Sequence, residues 1–359
     1  MNPKLIQISL SLLLMCLCKA YSDEKNNKNG VMITESNRLL SELENDEVGV
    51  EVHEDKPVYK DQPVYEDQSN YEMLIRDKNG NPVDKNNLKN NIKIAFIDLD
   101  GTLLNDHYKI SKLNIESLVK AQNKGIKIVF ATGRPIFLAN YVIGKDVKKN
   151  NLSLVPGIYL NGGITYGPNG DRIIDNYIDE KLVMDIYNFS KENNFVRRMF
   201  WCSLEKAHTF ENNEYIDEYL NLVPIMPDII DEETLKNTKI YKIIIRSDKE
   251  NLSSVLKMYE DNFSDRICVA NTFKTYIELF LHNTNKIEGV KALCKHFDIS
   301  LNDALAIGDA ENDIEMLQSV GTSISVQNAA SKIKECAKYV GPSNNDDAVH
   351  HALQTFCDI

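Results

Sequence analysis

The chain has 359 residues, a net charge of −12 and an apolar fraction of 43%, a balance ordinary for a globular protein and long enough for one large or two medium domains. The acid excess argues against a nucleic-acid binder, which needs a basic surface to meet phosphates. Seven scattered cysteines without a CxxC pair exclude a disulfide scaffold and give no sign of zinc or thioredoxin-type chemistry.

Residues 1–20 read as a secretory signal peptide. Lys4 is followed by an apolar run from Leu5 to Leu17, and Cys18-Lys19-Ala20 places small residues two apart, with cleavage expected after Ala20. The run is shorter than the ~20 residues a membrane span requires, and no later stretch is more apolar. The expectation is therefore no stable membrane insertion once the signal is removed. Cys16 and Cys18 leave with it, and the odd, scattered set Cys202, Cys268, Cys294, Cys336 and Cys357 reads as free thiols.

Residues 21–90 carry eleven Asn and a net charge of −7. Such a stretch buries too little apolar surface to offset its ordering entropy, so it reads as a disordered acidic leader. Within it, Lys56-Pro57-Val58-Tyr59-Lys60-Asp61 is nearly repeated by Gln62-Pro63-Val64-Tyr65-Glu66-Asp67; two copies are too few for a solenoid. Arg38-Leu39-Leu40-Ser41-Glu42 resembles the RxLxE export motif that malaria parasites place shortly behind a signal peptide. That resemblance implies cleavage after Leu40, engagement of an export machinery through the leader, and delivery to the cytosol of the infected red cell. Secretion, or residence in the vacuole, is the alternative. A reducing host cytosol is consistent with unpaired cysteines.

From residue 91 short apolar runs alternate with helical patterns, which predicts βα units and a parallel sheet. Residues 92–97 read as a buried strand. Ser111 caps a helix with Leu113, Ile115, Leu118 and Val119 on its apolar side, and Gly125 ends it before a strand at 126–131. Pro135 opens a second helix. Residues 156–160 and 304–307 supply two more strands. Between 164 and 281 the style changes: Gly167-Pro168-Asn169-Gly170 joins two strand-like runs, and further runs at 239–246, 267–270 and 276–281 flank helical stretches. The expected fold is α/β, a Rossmann-like parallel-sheet core (91–164 and 284–359) with an inserted α+β domain (165–283).

Asp98 and Asp100, in Asp98-Leu99-Asp100-Gly101-Thr102, lie at the carboxyl end of the first strand. Their spacing of two sends both carboxylates to one side, at the edge where open parallel sheets bind ligands. Ala131-Thr132-Gly133-Arg134 follows the second strand, Lys286 precedes an amphipathic helix, and Gly308-Asp309-Ala310-Glu311-Asn312-Asp313 follows a later strand. Asp309 and Asp313, four apart, share a face where that loop enters its helix. Singly, each has a plain alternative as a cap, a solvated charge or a favourable acid near a helix N-terminus. Their joint order behind successive strands does not.

These four motifs, spanning about Lys93 to Ala352, resemble the haloacid dehalogenase superfamily, and within it the Cof-type phosphatases whose inserted domain is a C2B cap. The resemblance implies that Asp98 is the nucleophile and Asp100 the general acid/base. It assigns Thr132, Lys286 and Asn312 to the phosphate, and Mg²⁺ to Asp98, Asp309, Asp313 and the backbone carbonyl of Asp100. Asn161-Gly162-Gly163 resembles the Asn-Gly turn that leads into the cap, so Asn161 and Gly162, with Arg134, are candidates for substrate contact. The chemistry agrees. Several carboxylates around a phosphate require a cation, and Mg²⁺ prefers oxygen ligands. An ionised carboxylate attacks without a base, and a second carboxyl serves as acid and then base.

Two positions depart from the family pattern: Ala310 stands where Gly or Ser is common, and Asp346-Asp347-Ala348-Val349 where an acidic pair, Gly and Val are common. In the inserted domain Arg172, Arg197, Arg198, Trp201, His208 and Arg246 are candidates for the leaving group, against the alternative of solvated arginines and a core tryptophan. The expected activity is a Mg²⁺-dependent phosphatase acting on small phosphorylated metabolites such as sugar or nucleotide phosphates. A phosphomutase on the same fold, and an exported binding protein with incidental activity, are the alternatives.

Overall fold

The structure, a computed structural model, describes residues 74–359 apart from 86, 87, 89, 90, 222 and 274. The signal peptide, the tandem repeat and the export-like string lie outside the described residues. In chain order the strands are β1 (Arg76–Asp77), β2 (Ile94–Ile97), β3 (Lys127–Ala131), β4 (Gly157–Tyr159), β5 (Ile164–Tyr166), β6 (Arg172–Asp175), β7 (Met199–Cys202), β8 (Ala207–Thr209), β9 (Asp228–Ile229), β10 (Lys242–Arg246), β11 (Cys268–Phe273), β12 (Tyr276–Phe280), β13 (Ala304–Gly308), β14 (Thr322–Ser325) and β15 (Tyr339–Val340). The longer helices are α1 (Lys112–Asn123), α2 (Ile136–Lys149), α3 (Glu180–Glu192), α4 (Leu252–Phe263), α5 (Lys286–His296) and α6 (Ala348–Phe356).

The strands form two sheets, ordered β1-β15-β14-β13-β2-β3-β4-β5-β6 and β11-β12-β10-β7-β8-β9. In the first, β15 through β4 are parallel neighbours, edged by antiparallel β1 on one side and β5–β6 on the other. All four residues of β2 and all five of β13 are buried, as expected for strands covered on both faces. From β2 the chain winds through α1 to β3 on one flank, whereas β13 pairs on the other. The order therefore reverses between β2 and β13, the switch point at which such sheets leave a crevice beyond their carboxyl ends. Ile97 is in register with Ile307, and the Asp98 amide continues the ladder to the Ile307 carbonyl at 3.1 Å. The loops after these two central strands thus start level with each other.

Ser111 caps α1 by accepting from the Asn114 amide, and Gly125, at φ +87°, turns the chain into β3. Leu113, expected on the apolar side of α1, is exposed, while Ile115, Leu118 and Ala121 are buried. Two residues from Ile115 is some 200° around a helix, off the buried stripe.

Two boundaries differ from expectation. The hairpin around Gly167-Pro168-Asn169-Gly170 extends the large sheet from β4 instead of belonging to the inserted domain; its alternating pattern marks strands but not which sheet they join. At the other end, residues expected in the leader form part of the fold. β1 adds to β15, Val83 donates to the Ile75 carbonyl, Asp77 accepts from the Asn79 and Asn81 amides, and Ile75 is buried in the main core. The short apolar run at 73–75 is easily lost in an acidic, Asn-rich surrounding.

The smaller sheet has its own core, in which Trp201, Ile243, Ile245, Ile277 and Leu279 pack against α3 and α4. Its β10 end is joined to the large sheet: Ile178 donates to the Ile240 carbonyl, and the Tyr241 hydroxyl donates to Asp175 at 2.5 Å. The five cysteines from Cys202 onward are free. Among the described residues no helix is long and apolar enough to cross a membrane.

Candidate active site

Asp98 leaves β2 and is 5% exposed; Asp313 and Lys286 are wholly buried. Lys286, the first residue of α5, donates from one Nζ to Asp98 Oδ1 and to Asp313 Oδ1, each at 2.6 Å. The other oxygen of Asp313 accepts the amides of Asp309 and Ala310, both at 3.0 Å, so this carboxylate braces the loop that follows β13. Gly308 is required there because a side chain would run into the Asp313 carboxylate. Asp309 is held from the first strand's loop: Thr102 Oγ1 donates to its Oδ1 at 3.2 Å. Gly101, at φ +74°, abuts the same carboxylate so closely that a Cβ would collide with it.

Asp98, Asp309 and Asp313 each offer an oxygen within 4.8 Å of the others. Three carboxylates share one ammonium, and the protonation equilibria register the imbalance. Burial holds Asp98 well above the usual carboxylate range; Lys286 opposes this, while Asp313 and Asp309 add to it. Burial, then Asp313, lifts Asp309 to about 6. Burial pushes Lys286 down, but Asp313 and Asp98 outweigh it and leave the ammonium above its ordinary value. A cluster of oxygen donors short of positive charge fits a hard divalent cation.

Asp100 points to a different partner. Arg134 Nε reaches Asp100 Oδ2 at 2.7 Å and Nη2 reaches Oδ1 at 2.6 Å, a forked pair that fixes the carboxylate's orientation. Arg134, expected at the substrate, is thus engaged by the acid/base candidate, with its guanidinium 5.9 Å from the Tyr108 ring centroid. Thr132 is buried after β3; its hydroxyl accepts the Arg134 amide at 3.1 Å and its carbonyl accepts the Asn161 amide at 3.1 Å. Asn161 is left-handed at φ +54°, and its Oδ1 accepts from Asn312 Nδ2 at 2.8 Å. Gly162, at φ +93°, lies against the Asn285 carbonyl where a side chain would collide. Asn161 and Gly162, expected to touch substrate, are also engaged within the protein. One ties the β3 loop to the β13 loop, and the other seats the start of α5 that carries Lys286.

Arg172, expected in the inserted domain, stands on β6 of the large sheet, and the arginine candidates all pair with neighbouring acids. Arg172 pairs with Asp175, Arg197 with Glu211 and Glu214, Arg198 with Asp248, and Arg246 with Glu218 and Asp248. Trp201 is wholly buried core, and His208 is buried with both ring nitrogens unpartnered. Two groups were not singled out from sequence. Thr102, next to the paired aspartates, carried a local signal; the Lys242–Glu278 pair at 2.9 Å, on neighbouring strands of the smaller sheet, carried none.

Residues 95–353 match the profile of the haloacid dehalogenase-like hydrolases. The chloroplastic endoribonuclease YBEY of Arabidopsis thaliana is 31% identical over 272 residues, 73% of this chain; the chain spans 46% of that protein's length. The phosphatase YwpJ of Bacillus subtilis is 26% identical over 291 residues, covering 73% of this chain and 99% of the relative. Among solved structures, a HAD/COF-like hydrolase from Plasmodium vivax superposes with a TM-score of 0.67 at 29% identity, covering 75% of this chain and 97% of that one.

Proposed function

Because the chain belongs to the haloacid dehalogenase-like hydrolases, we propose that it is a Mg²⁺-dependent phosphatase that hydrolyses small phosphate monoesters through an aspartyl-phosphate on Asp98. The observation that carries this reading is the buried set at the β2/β13 switch point, three carboxylates around one lysine. Asp98, Asp309 and Asp313, with the Asp100 backbone carbonyl, would hold Mg²⁺; bound there, the cation offsets the negative charge of the phosphoryl oxygens.

An Asp98 carboxylate oxygen forms a bond to phosphorus while the bond to the ester oxygen breaks, and that oxygen leaves with the proton supplied by Asp100. Asp100, now a carboxylate, takes a proton from the water that next attacks phosphorus. Inorganic phosphate departs and Asp98 is regenerated. Lys286 and the Thr132 hydroxyl bind the transferring group's oxygens, compensating charge that water would otherwise solvate. Arg134 holds both Asp100 oxygens in the structure, so one arm of this fork opens when Asp100 carries the proton it gives, and Asn312, tied to Asn161, keeps the β13 loop in place.

The smaller sheet and its helices act as a cap. The chain leaves the large sheet after β6 and returns to it at β13 through α5, whose first residue is Lys286, so the insertion ends beside the site. Its Lys242–Glu278 pair, less exposed than the Arg197 pairs, is the candidate there for contact with a leaving group. The test is phosphate release by the full chain from a panel of sugar phosphates, nucleotides and an aryl phosphate with Mg²⁺. Release without a bisphosphate activator supports a phosphatase. Return of the phosphoryl group to a substrate hydroxyl would make it a phosphomutase, and silence on every ester favours a binding protein.

The leader reading is separate. The signal peptide and RxLxE-like string support export to a host-cell cytosol with cleavage after Leu40. N-terminal sequencing of mature protein should then begin at Ser41, whereas a start at Tyr21 in a secreted pool overturns it.

A further inference from the structure

Thr102 donates to Asp309 and Gly101 lies close beside it, and what holds those two residues is supplied from about 230 residues away. Asn328, in the loop after β14, donates its amide to the Gly101 carbonyl at 2.8 Å. Its own Oδ1 accepts the Asn344 backbone amide at 2.9 Å. Asn344, in the loop after β15 and only 5% exposed, donates its side-chain amide to the Leu104 carbonyl at 3.0 Å and to Asp106 Oδ1 at 3.1 Å. Asn345 Oδ1 accepts the Asp106 amide at 3.0 Å, and Gln327 donates to the Pro342 carbonyl at 3.1 Å. The loops after β14 and β15 are thus joined to each other and laid across the 101–106 turn at three of its residues.

We infer that Asn328 and Asn344 are positioning residues that set the cation affinity of the site by fixing the Gly101–Thr102 peptide against Asp309. The Gly101 carbonyl and the Thr102 amide belong to one planar unit, so holding the carbonyl orients the residue whose hydroxyl donates to Asp309. Gly101 is left-handed and has no side chain to lodge it, and the Asn328 amide supplies the hold that a side chain would otherwise give. Asn344 does not touch Asp309 or Gly101. It locks Asn328 through its backbone and the far side of the turn through its side chain. Groups one step behind a metal's ligands commonly set its affinity by orienting them.

This inference rests on the reading of Asp98, Asp309 and Asp313 as a cation site, and the experiment separates the two. The full chain is titrated with MgCl₂ while its melting temperature is followed, and kcat and KM for an aryl phosphate are measured at saturating Mg²⁺. In Asn328→Ala, an exposed position, the Mg²⁺ concentration giving half the thermal shift should rise about tenfold or more, with KM unchanged and the metal-free melting temperature lowered only as the loss of its two hydrogen bonds requires. Asn344→Ala should move it in the same direction; if that buried variant does not fold, Asn328→Ala alone decides. A midpoint within twofold of the original chain in Asn328→Ala, whatever its stability, overturns the inference. Should the unmodified chain show no Mg²⁺-induced shift that Asp309→Asn removes, the cation site itself is wrong and the inference falls with it.

Discussion

Two clusters of acids and bases in this molecule are built from similar groups and behave oppositely. On the smaller sheet, Arg197, Arg198 and Arg246 surround the Tyr215 ring and pair with Glu211, Glu214, Glu218 and Asp248. Charges there are nearly balanced and most of the carboxylates stand half in water. At the strand ends of the large sheet, Lys286 faces Asp98 and Asp313 with side chains at most 7% exposed, and Asp309 is beside them. The first cluster is a solvated surface whose pairs contribute little. In the second, desolvation is uncompensated because one ammonium cannot neutralise three carboxylates. Burial combined with an excess of one sign, more than the presence of ion pairs, distinguishes a site from a surface.

Substitutions can break that contrast at several points. Asp98→Asn should lower phosphate release by about a thousandfold or more, as loss of a covalent nucleophile does. It should leave the metal-free melting temperature unchanged or higher, because burial, and then Asp313 and Asp309, disfavour the charge it removes more than Lys286 favours it. Lys286→Met should abolish activity too, but for the opposite reason. It strips the only ammonium from the cluster and should destabilise the metal-free chain by about 3–5 kcal/mol, the usual cost of breaking a buried pair, read by urea unfolding. Arg134→Lys keeps the charge and loses the fork on Asp100; kcat should fall about ten- to a hundredfold with KM less affected, and the pH–rate profile should shift.

A pH series sharpens the contrast further. In the metal-free chain Asp309 holds its proton up to about 6, and Asp98 holds its own beyond the usual carboxylate range. A carboxyl raised on folding contributes stability that is full below its unfolded value and lost as pH climbs through its folded value. These two groups therefore weaken the metal-free chain as pH rises from about 4 to 7, and their ionised forms are the ones a cation binds. The melting-temperature gain on adding Mg²⁺ should increase from about pH 5 to about pH 8; a gain that is flat or falls over that window contradicts the assignment. The smallest effect belongs to the surface cluster. Arg197→Ala should change stability by no more than about 0.5 kcal/mol and phosphate release by less than about threefold, measured by thermal unfolding and steady-state kinetics.

Legibility in the sequence followed the range of the interactions. Asp98, Thr132, Lys286 and Asp309 were readable because each follows or precedes an element whose pattern is local, and strand ends of a parallel sheet converge by construction. The pairing of Arg134 with Asp100 was not, because the fork joins two loops and nothing in either string distinguishes a carboxylate partner from a substrate. Asn161 and Gly162 were found as positions but not for their engagement within the protein; their contacts with Asn312 and the Asn285 carbonyl depend on how β4, β13 and α5 meet. Likewise the 164–175 hairpin reads as strands in any sheet, since period-two alternation carries no address. Asn344 reaches Leu104 across 240 positions, and no local pattern marks it.

The central claim is tested most directly by phosphate release from an aryl phosphate, comparing the full chain with its Asp98→Asn variant in Mg²⁺ and in EDTA. Release that needs Mg²⁺ and disappears in Asp98→Asn is the predicted result. Release that persists undiminished in Asp98→Asn, or in EDTA, would contradict the account.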